Sequence, residues 1–334
     1  MIRGAGLRLL PLLKQTTIVR MQRDVVTTII PVFNRAALLR EAVGSVLAQT
    51  YRPIDIVIVD DGSTDDATPR VIAELEAAHP EVRSTRIANG GPGAAREAGR
   101  QVADGEFIQY LDSDDVLLPH KLERQVRALR EHPDHGISYG ITRYRDAAGN
   151  EIACSWKPLL AGETTLFPHF LRERMWETVA PLYRASVCDA IGPWTPRRLE
   201  EDWEYDARAG ALGVRLVFVP EVLAEHRAAA ADRLSRGHPL DPARLRDRAA
   251  AHQSIYRSAV RAGVPPDAPE MQHFARDLFL IGRQCGAAGL SAESRQLIAL
   301  ALSVAPAWDL RVYTAVASVL GWRVTSRLAM KVRP

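Results

Sequence analysis

The sequence predicts an α/β protein built on a doubly wound, mostly parallel sheet. Three observations carry that expectation. Apolar, β-branched runs such as Ile54-Asp55-Ile56-Val57-Ile58-Val59 read as strands buried on both faces. Segments of helical spacing separate these runs, and strands that alternate with helices pair in parallel. Two runs end in carboxylate clusters, Asp60-Asp61-Gly62-Ser63 and Asp112-Ser113-Asp114-Asp115. Ligands of open α/β sheets bind beyond the carboxyl ends of the strands. Acids crowded there repel one another unless a cation or ligand donors offset the charge. A divalent metal carrying a phosphorylated ligand is the expected occupant.

The elements follow in order. Val25 to Phe33 is the first strand, and Ala36 to Gln49 is a helix with Leu38, Leu39, Val43, Val46 and Leu47 on its apolar face. Ile54 to Val59 is the second strand and Asp66 to Ala78 the second helix. A short strand near Arg83 to Ile87 leads through Asn89-Gly90-Gly91-Pro92-Gly93 into a helix over Ala94 to Ala103. Glu106 to Leu111 is the next strand, and His120 to Glu131 the next helix. The rhythm then changes. Ile137 to Tyr144 and Ile152 to Trp156 read as strands joined by a turn at Ala147-Ala148-Gly149-Asn150. Glu200 to Leu212 reads as a helix, and Arg215 to Val219 as a strand ended by Pro220. From Pro242 onward nearly everything reads as helix, broken at Gly263-Val264-Pro265-Pro266, Gly289-Leu290-Ser291 and Pro306, with Phe274 to Ala305 forming a helical hairpin. The organisation expected is a basic N-terminal tail over 1–24, an α/β domain over 25–227, a hinge over 228–241 rich in Ala, Arg and Gly, and a helical region over 242–334.

Bulk properties bound the rest. At 334 residues, 47% hydrophobic and 25% charged, the chain can bury a sizeable core. A net charge of +3 gives no footprint for nucleic acid. The charge is unevenly placed: five basic residues and no acid precede Asp24, and five more with no acid follow from Leu310. Cys154, Cys188 and Cys285 are odd in number and far apart, which indicates neither a disulfide framework nor a zinc site and suits a reducing compartment. Arg8, Pro11 and Lys14 interrupt the early leucines that a signal peptide would need, and a cytoplasmic location is expected.

The ordered motifs Pro31-Val32-Phe33-Asn34-Arg35, Val59-Asp60-Asp61-Gly62-Ser63-Thr64-Asp65, Asn89 with Ala95-Arg96, Asp112-Ser113-Asp114-Asp115 and Glu201-Asp202 resemble those of family-2 glycosyltransferases. The resemblance covers roughly residues 25–227 and leaves the helical C-terminus uncovered. It implies the GT-A fold, a Rossmann-like twisted sheet flanked by helices. It also implies inverting transfer from a nucleotide-sugar, here a UDP-sugar, to an acceptor hydroxyl on a glycan or lipid-linked acceptor, with Mg²⁺ or Mn²⁺. Residue by residue, Pro31, Val32 and Phe33 would hold the nucleobase with Asp61, which would accept an imide hydrogen bond from uracil. Asp112 would contact the ribose side, Arg96 would help balance phosphate charge, and Asp114 would bind the metal. Asp202 would be the general base that deprotonates the acceptor. The chemistry needs these types: a hard dication stabilises charge on a diphosphate leaving group, and a carboxylate suits the proton transfer.

Some positions depart from the pattern. Glu97 stands where many relatives carry Asn, and the usual Tyr-Arg-x-His stretch appears only as Glu225-His226-Arg227. His226 is then either a metal ligand shifted in register or a surface histidine. The Gln-x-x-Arg-Trp signature of processive relatives is absent, which favours transfer of single sugars.

Three alternatives stand beside this reading. Asp and Ser cap helices and turns, so either carboxylate cluster, and the acids Glu200 to Glu204, could serve only as helix starts. Gly91-Pro92-Gly93 before a helix, with Asp112 about twenty residues later, mimics the fingerprint of an NAD-dependent oxidoreductase, although Arg96 is bulky where that fingerprint packs tightly. A non-catalytic nucleotide-sugar-binding module is the third. At the C-terminus, Val312, Val316, Leu320, Val324 and Leu328 form a ridge at four-residue spacing beside Arg323, Arg327 and Lys331. That ridge either packs on the preceding helices, serves a homodimer, or lies on an anionic membrane as a peripheral contact at its inner face.

Overall fold

The computed structural model describes residues 21–146, 148–152, 164–227, 237–306 and 308–332. Four parallel strands form the first half of the sheet: β1 (Gln22–Val32), β2 (Ile54–Asp60), β3 (Val82–Arg86) and β4 (Gly105–Tyr110). Short β5 (Val116–Leu117), long β6 (Ile137–Arg145), β7 (Glu151–Ile152), β8 (Leu182–Arg184) and β9 (Leu216–Arg227) extend it into a mixed sheet. The order is β3-β2-β1-β4-β8-β6-β9-β5, with β7 paired to β6.

Both faces of the parallel half are buried, which is why its strands read as continuous apolar runs. Successive side chains alternate. Ile54, Ile56 and Ile58 of β2 join Val26 and Ile30 of β1 under helices α1 (Ala36–Leu47), α2 (Ala67–Ala78) and α4 (Lys121–Glu131). Val57 and Val59 join Ile29 on the opposite face, under α3 (Pro92–Val102). There Gly99 of α3 sits so close to Ile29 and Val59 that an added Cβ would lie 2.4 Å from the Ile29 side chain.

That second apolar cluster continues without a break into the helical C-terminus. It includes Tyr205 of α6 (Glu201–Ala211), Leu245 and Ile255 of α7 (Pro242–Arg261), Phe274 and Leu278 of α8 (Pro269–Ala287), and Leu297 of α9 (Ser291–Val304). Asp241 caps α7 by accepting from the Arg244 backbone N–H at 2.9 Å, and Pro242 and Pro269 open their helices in the first turn, where proline fits. Helices α8 and α9 form the expected hairpin, with Gly282 against Ile298. Helices α10 (Trp308–Leu320) and α11 (Trp322–Val332) close the chain.

Several expectations shift. Residues 22–24, assigned to the tail, begin β1; residues 1–20 lie outside the described residues, as do most of the hinge (228–236) and the predicted strand beyond Ile152. Pro220 does not end its strand. β9 runs through it because the register with β6 jumps from Gly140↔Val219 to Ile141↔Val222, so Pro220 sits in a bulge where no ladder N–H is required. β8 and the short helix α5 (Ala185–Ile191) were not read from the sequence. The C-terminal ridge does not pack on the preceding helices: Val312, Val316, Leu320, Val324 and Leu328 are 38 to 53% exposed.

Candidate active site

The strand ends of β1, β2 and β4 open onto one cavity of about 830 Å³. Every residue singled out from the sequence lines it: Pro31, Val32, Phe33, Asp61, Arg96, Asp112, Asp114, Asp202 and His226. They arrive from six places in the chain, and the sheet order explains the convergence, since β1 lies between β2 and β4.

The first carboxylate cluster divides its labour. Asp60 is structural: it accepts from the Ser63 N–H at 2.8 Å and pairs with Arg86 at 2.8 Å. Asp61, next to it, turns into the cavity. Its carboxylate accepts from the Gly90 and Gly91 N–H groups at 2.7 and 2.9 Å, which fixes its orientation while each oxygen keeps a further lone pair. Neither acid caps α2; Asp65 bonds the Thr68 N–H instead.

The second cluster also does more than cap. It is followed by β5, and α4 begins only at Lys121. Asp112 pairs with Arg96, and Arg35 Nη1 lies 3.0 Å from Asp114 Oδ2. Asp115 is buried and contacts His226, whose Nδ1 lies 2.9 Å from Asp115 Oδ1. Burial pushes the Asp115 carboxyl above its ordinary range and His226 pulls it back, the net being upward. His226 is therefore not a surface histidine. A carboxylate that orients an imidazole is the usual support behind a metal-binding histidine.

Arg96 is 2% exposed and holds the two halves of the site together. It donates to Glu201 at 2.7 Å and to Asp112 at 2.5 Å, and its guanidinium lies 4.9 Å from the Trp194 ring centre. Burial disfavours its charge, but Asp112, Glu201 and Asp202 outweigh that and hold it protonated. The neighbouring departure, Glu97, accepts from the Trp194 N–H at 3.0 Å and from Arg100, so it braces the loop that carries Trp194.

On the far wall, α6 presents Glu201 and Asp202 from its first turn. Burial and then repulsion from Asp202 push the Glu201 carboxyl up, against the pull of Arg96. Asp202 moves the other way. Burial opposes its charge, yet Arg174, at 2.6 Å, and then Arg96 hold its pKa below the ordinary value, with help from the Trp203 N–H and the Thr178 hydroxyl. Two adjacent acids thus have environments that separate their protonation, a common property of functional sites. Asp206, one turn on, is buried and accepts from Tyr183 and Trp176 at 2.6 and 2.9 Å; Arg208 binds Glu204 and the Ile191 carbonyl and does not reach the cavity.

Sequence reasoning missed Arg174 and Thr178, which sit in the irregular stretch before β8, and Arg198, Arg244 and Arg248, which complete the rim. Periodicity carries no signal in such a stretch. The glycines of the dinucleotide-like turn are explained by packing. An added Cβ on Gly93 would lie 2.0 Å from the Thr195 carbonyl oxygen, and one on Gly91 2.8 Å from the Arg198 side chain. The chain at 195–198 fills the space that a pyrophosphate would need there.

Among the described residues no group of three or more His, Cys, Asp or Glu is arranged to hold an ion by itself. The donors present still fit a dication that brings its own ligands. Asp114 would supply carboxylate oxygen and His226 an imidazole nitrogen, and phosphate and water oxygens would complete the shell, as is common for Mg²⁺.

Comparison with known proteins bears on the family and the fold. Residues 27–186 match the sequence model of "Glycosyl transferase family 2". A Nostoc protein described as an uncharacterized glycosyltransferase is 41% identical over 116 residues, 35% of this chain and 36% of its own. The chondroitin synthase of Escherichia coli is 36% identical over 172 residues, 52% of this chain and 23% of its own. The matches thus span about a third or less of these relatives' length. Among solved structures, Staphylococcus aureus TarS 1-349 in complex with UDP-GlcNAc superposes with a TM-score of 0.64 at 18% identity, covering 92% of this chain and 91% of that one. The mannosyltransferase PcManGT of Pyrobaculum calidifontis, in complex with GDP-Man and Mn²⁺, gives 0.53 at 18% identity, covering 91% and 84%. Residues 27–186 carry the glycosyltransferase family 2 match, and the chain has the GT-A fold.

Proposed function

We propose that this protein is an inverting, metal-dependent glycosyltransferase that moves a single sugar from a nucleotide-sugar, a UDP-sugar in particular, to a hydroxyl of a glycan or lipid-linked acceptor. One observation carries the reading: a single cavity gathers the nucleotide-side residues at the ends of β1, β2 and β4 and, across from them, an ionised acid at the start of α6. The complexes named for the two structural relatives support a nucleotide-sugar donor and, for one of them, Mn²⁺.

In this reading Pro31 to Phe33 flank the base and Asp61 accepts from it. Asp112, fixed by Arg96, meets the ribose. Asp114 and His226 would hold the metal, which would supply positive charge to the diphosphate leaving group. The acceptor reaches Asp202 from the cavity that Arg174 and Thr178 also line. Asp202 takes the proton of the attacking hydroxyl through a carboxylate kept ionised by Arg174. Attack from the face opposite the diphosphate inverts the anomeric carbon, whose oxocarbenium character resembles that in glycoside hydrolysis. Glu201, with its raised pKa, is the poorer candidate for an ionised base and serves to fix Arg96.

A screen of nucleotide-sugars for metal-stimulated hydrolysis tests the proposal. Release of nucleoside diphosphate from one or a few donors, lost on chelation, is expected. Binding of a nucleotide-sugar with no turnover, with or without glycan acceptors, would favour the non-catalytic module.

A further inference from the structure

The last two helices leave an unusual surface. α10 buries Leu310, Tyr313 and Ala317, and α11 turns Thr325 and Ser326 inward. The inward contacts are specific: the Tyr313 hydroxyl meets Ser326 Oγ at 2.6 Å, and Tyr313 and Ala317 share a cluster with Ile298. Gly321, at φ +86°, makes the turn between the two helices. The opposite faces are apolar and uncovered. Val319 is 82% exposed and Leu320, Val324 and Leu328 about half.

Charge decides what fits there. Arg323 and Arg327 are exposed on α11 beside Val324 and Leu328, and α10 and α11 together carry Arg311, Arg323, Arg327 and Lys331 against one acid, Asp309, in the first turn of α10. A second copy of this chain would meet the face with the same cations, because a two-fold contact sets one patch against itself. A zwitterionic or neutral partner would leave the cations unused. Apolar side chains interleaved with arginines on one helical face match an anionic lipid surface. Among the described residues no helix is long and apolar enough to cross a membrane.

We propose that the outer face of α10 and α11 docks on an anionic phospholipid bilayer and holds the protein at that surface without spanning it. The cluster shared by α7, α8 and α9 with the sheet then ties the catalytic cavity to the membrane. The docking face is separate from that cavity, so the two assignments can fail independently.

The test is flotation of the full chain with vesicles of phosphatidylcholine alone or mixed with phosphatidylglycerol. Binding is expected only to the mixed vesicles and should decline as salt shortens the Debye length. Arg323→Ala with Arg327→Ala should weaken partitioning roughly 30-fold, as the loss of two cations near a charged bilayer implies. Val319→Ser with Leu320→Ser, a second variant at exposed positions, should weaken it as well. No flotation at low salt, equal flotation with phosphatidylcholine alone, or variants that bind as the parent does would each overturn the proposal. So would a dimer in light scattering that Val324→Asp dissociates, since a second copy would then cover the face.

Discussion

Gly93→Ala and Gly44→Ala make the same chemical change with opposite expected outcomes. Gly44 lies in the middle of α1, is exposed, and an added Cβ there would meet nothing within 4 Å. Only the backbone term remains, and alanine should stabilise by about 0.5–1 kcal/mol. Gly93 is in the first turn of α3, where its Cβ would stand 2.0 Å from the Thr195 carbonyl oxygen and 3.2 Å from that of Arg197. Both obstacles are backbone, and ordinary contact begins only at 3.4 Å, so the 195–197 chain must retreat by more than an ångström. Overpacking of that kind costs about 1–3 kcal/mol. Helix propensity recovers less than about 1 kcal/mol, so the net is a loss. Urea denaturation with no ligand added reads both: the midpoint should rise for Gly44→Ala and fall for Gly93→Ala, with unchanged slopes. If Gly93 existed to admit a dinucleotide pyrophosphate, its substitution would weaken ligand binding and leave the ligand-free midpoint alone. An unchanged or raised midpoint would refute the packing argument.

Asp114→Ala should abolish Mn²⁺-dependent UDP binding in calorimetry, since the diphosphate loses its bridging cation; unchanged affinity would remove Asp114 from the metal site. Arg174→Met should lower turnover and move the acid limb of its pH profile upward, because the closest cation holding Asp202 ionised is gone; a limb that stays in place would show that Arg174 does not tune the base. Burial pushes Asp206 up to about 6 from 3.8, against Arg174, Tyr183 and Trp176. The folded state therefore keeps a proton that the unfolded chain has lost between those values, and stability falls as pH rises through that window by up to about 1.4 kcal/mol per unit. Asp206→Asn should flatten that slope in urea midpoints taken across the window, and parallel curves would contradict it.

Much of the site was legible because its residues lie where apolar strands stop. Asp61 follows β2 directly and Asp114 lies four residues beyond the end of β4, and the spacing of apolar runs is strong enough to place the ends of β1 to β4 within a residue or two. The resemblance to a known family then joined those acids to Asp202, which local pattern alone would have left as a helix start. Arg174 was illegible for the opposite reason: it acts from an irregular segment, and only the tertiary fold carries it to Asp202. Pro220 shows how a local rule fails when a bulge removes the need for an N–H. His226 was ambiguous in sequence because its partner, Asp115, lies 111 positions away. The ridge at Val312 to Leu328 had the periodicity of a packed helix, but periodicity does not say which face finds a neighbour.

The central claim is that Asp202 removes the acceptor proton while the opposite wall of the same cavity holds the donor. Asp202→Asn keeps the size and most of the hydrogen-bonding capacity of the side chain but cannot take a proton. With the donor and acceptor that a screen identifies, the variant should bind donor as the parent does and turn over at least ~10²-fold more slowly, the low end for loss of a general base. Turnover at the parental rate, with donor binding intact, would contradict the account and pass the role to Glu201.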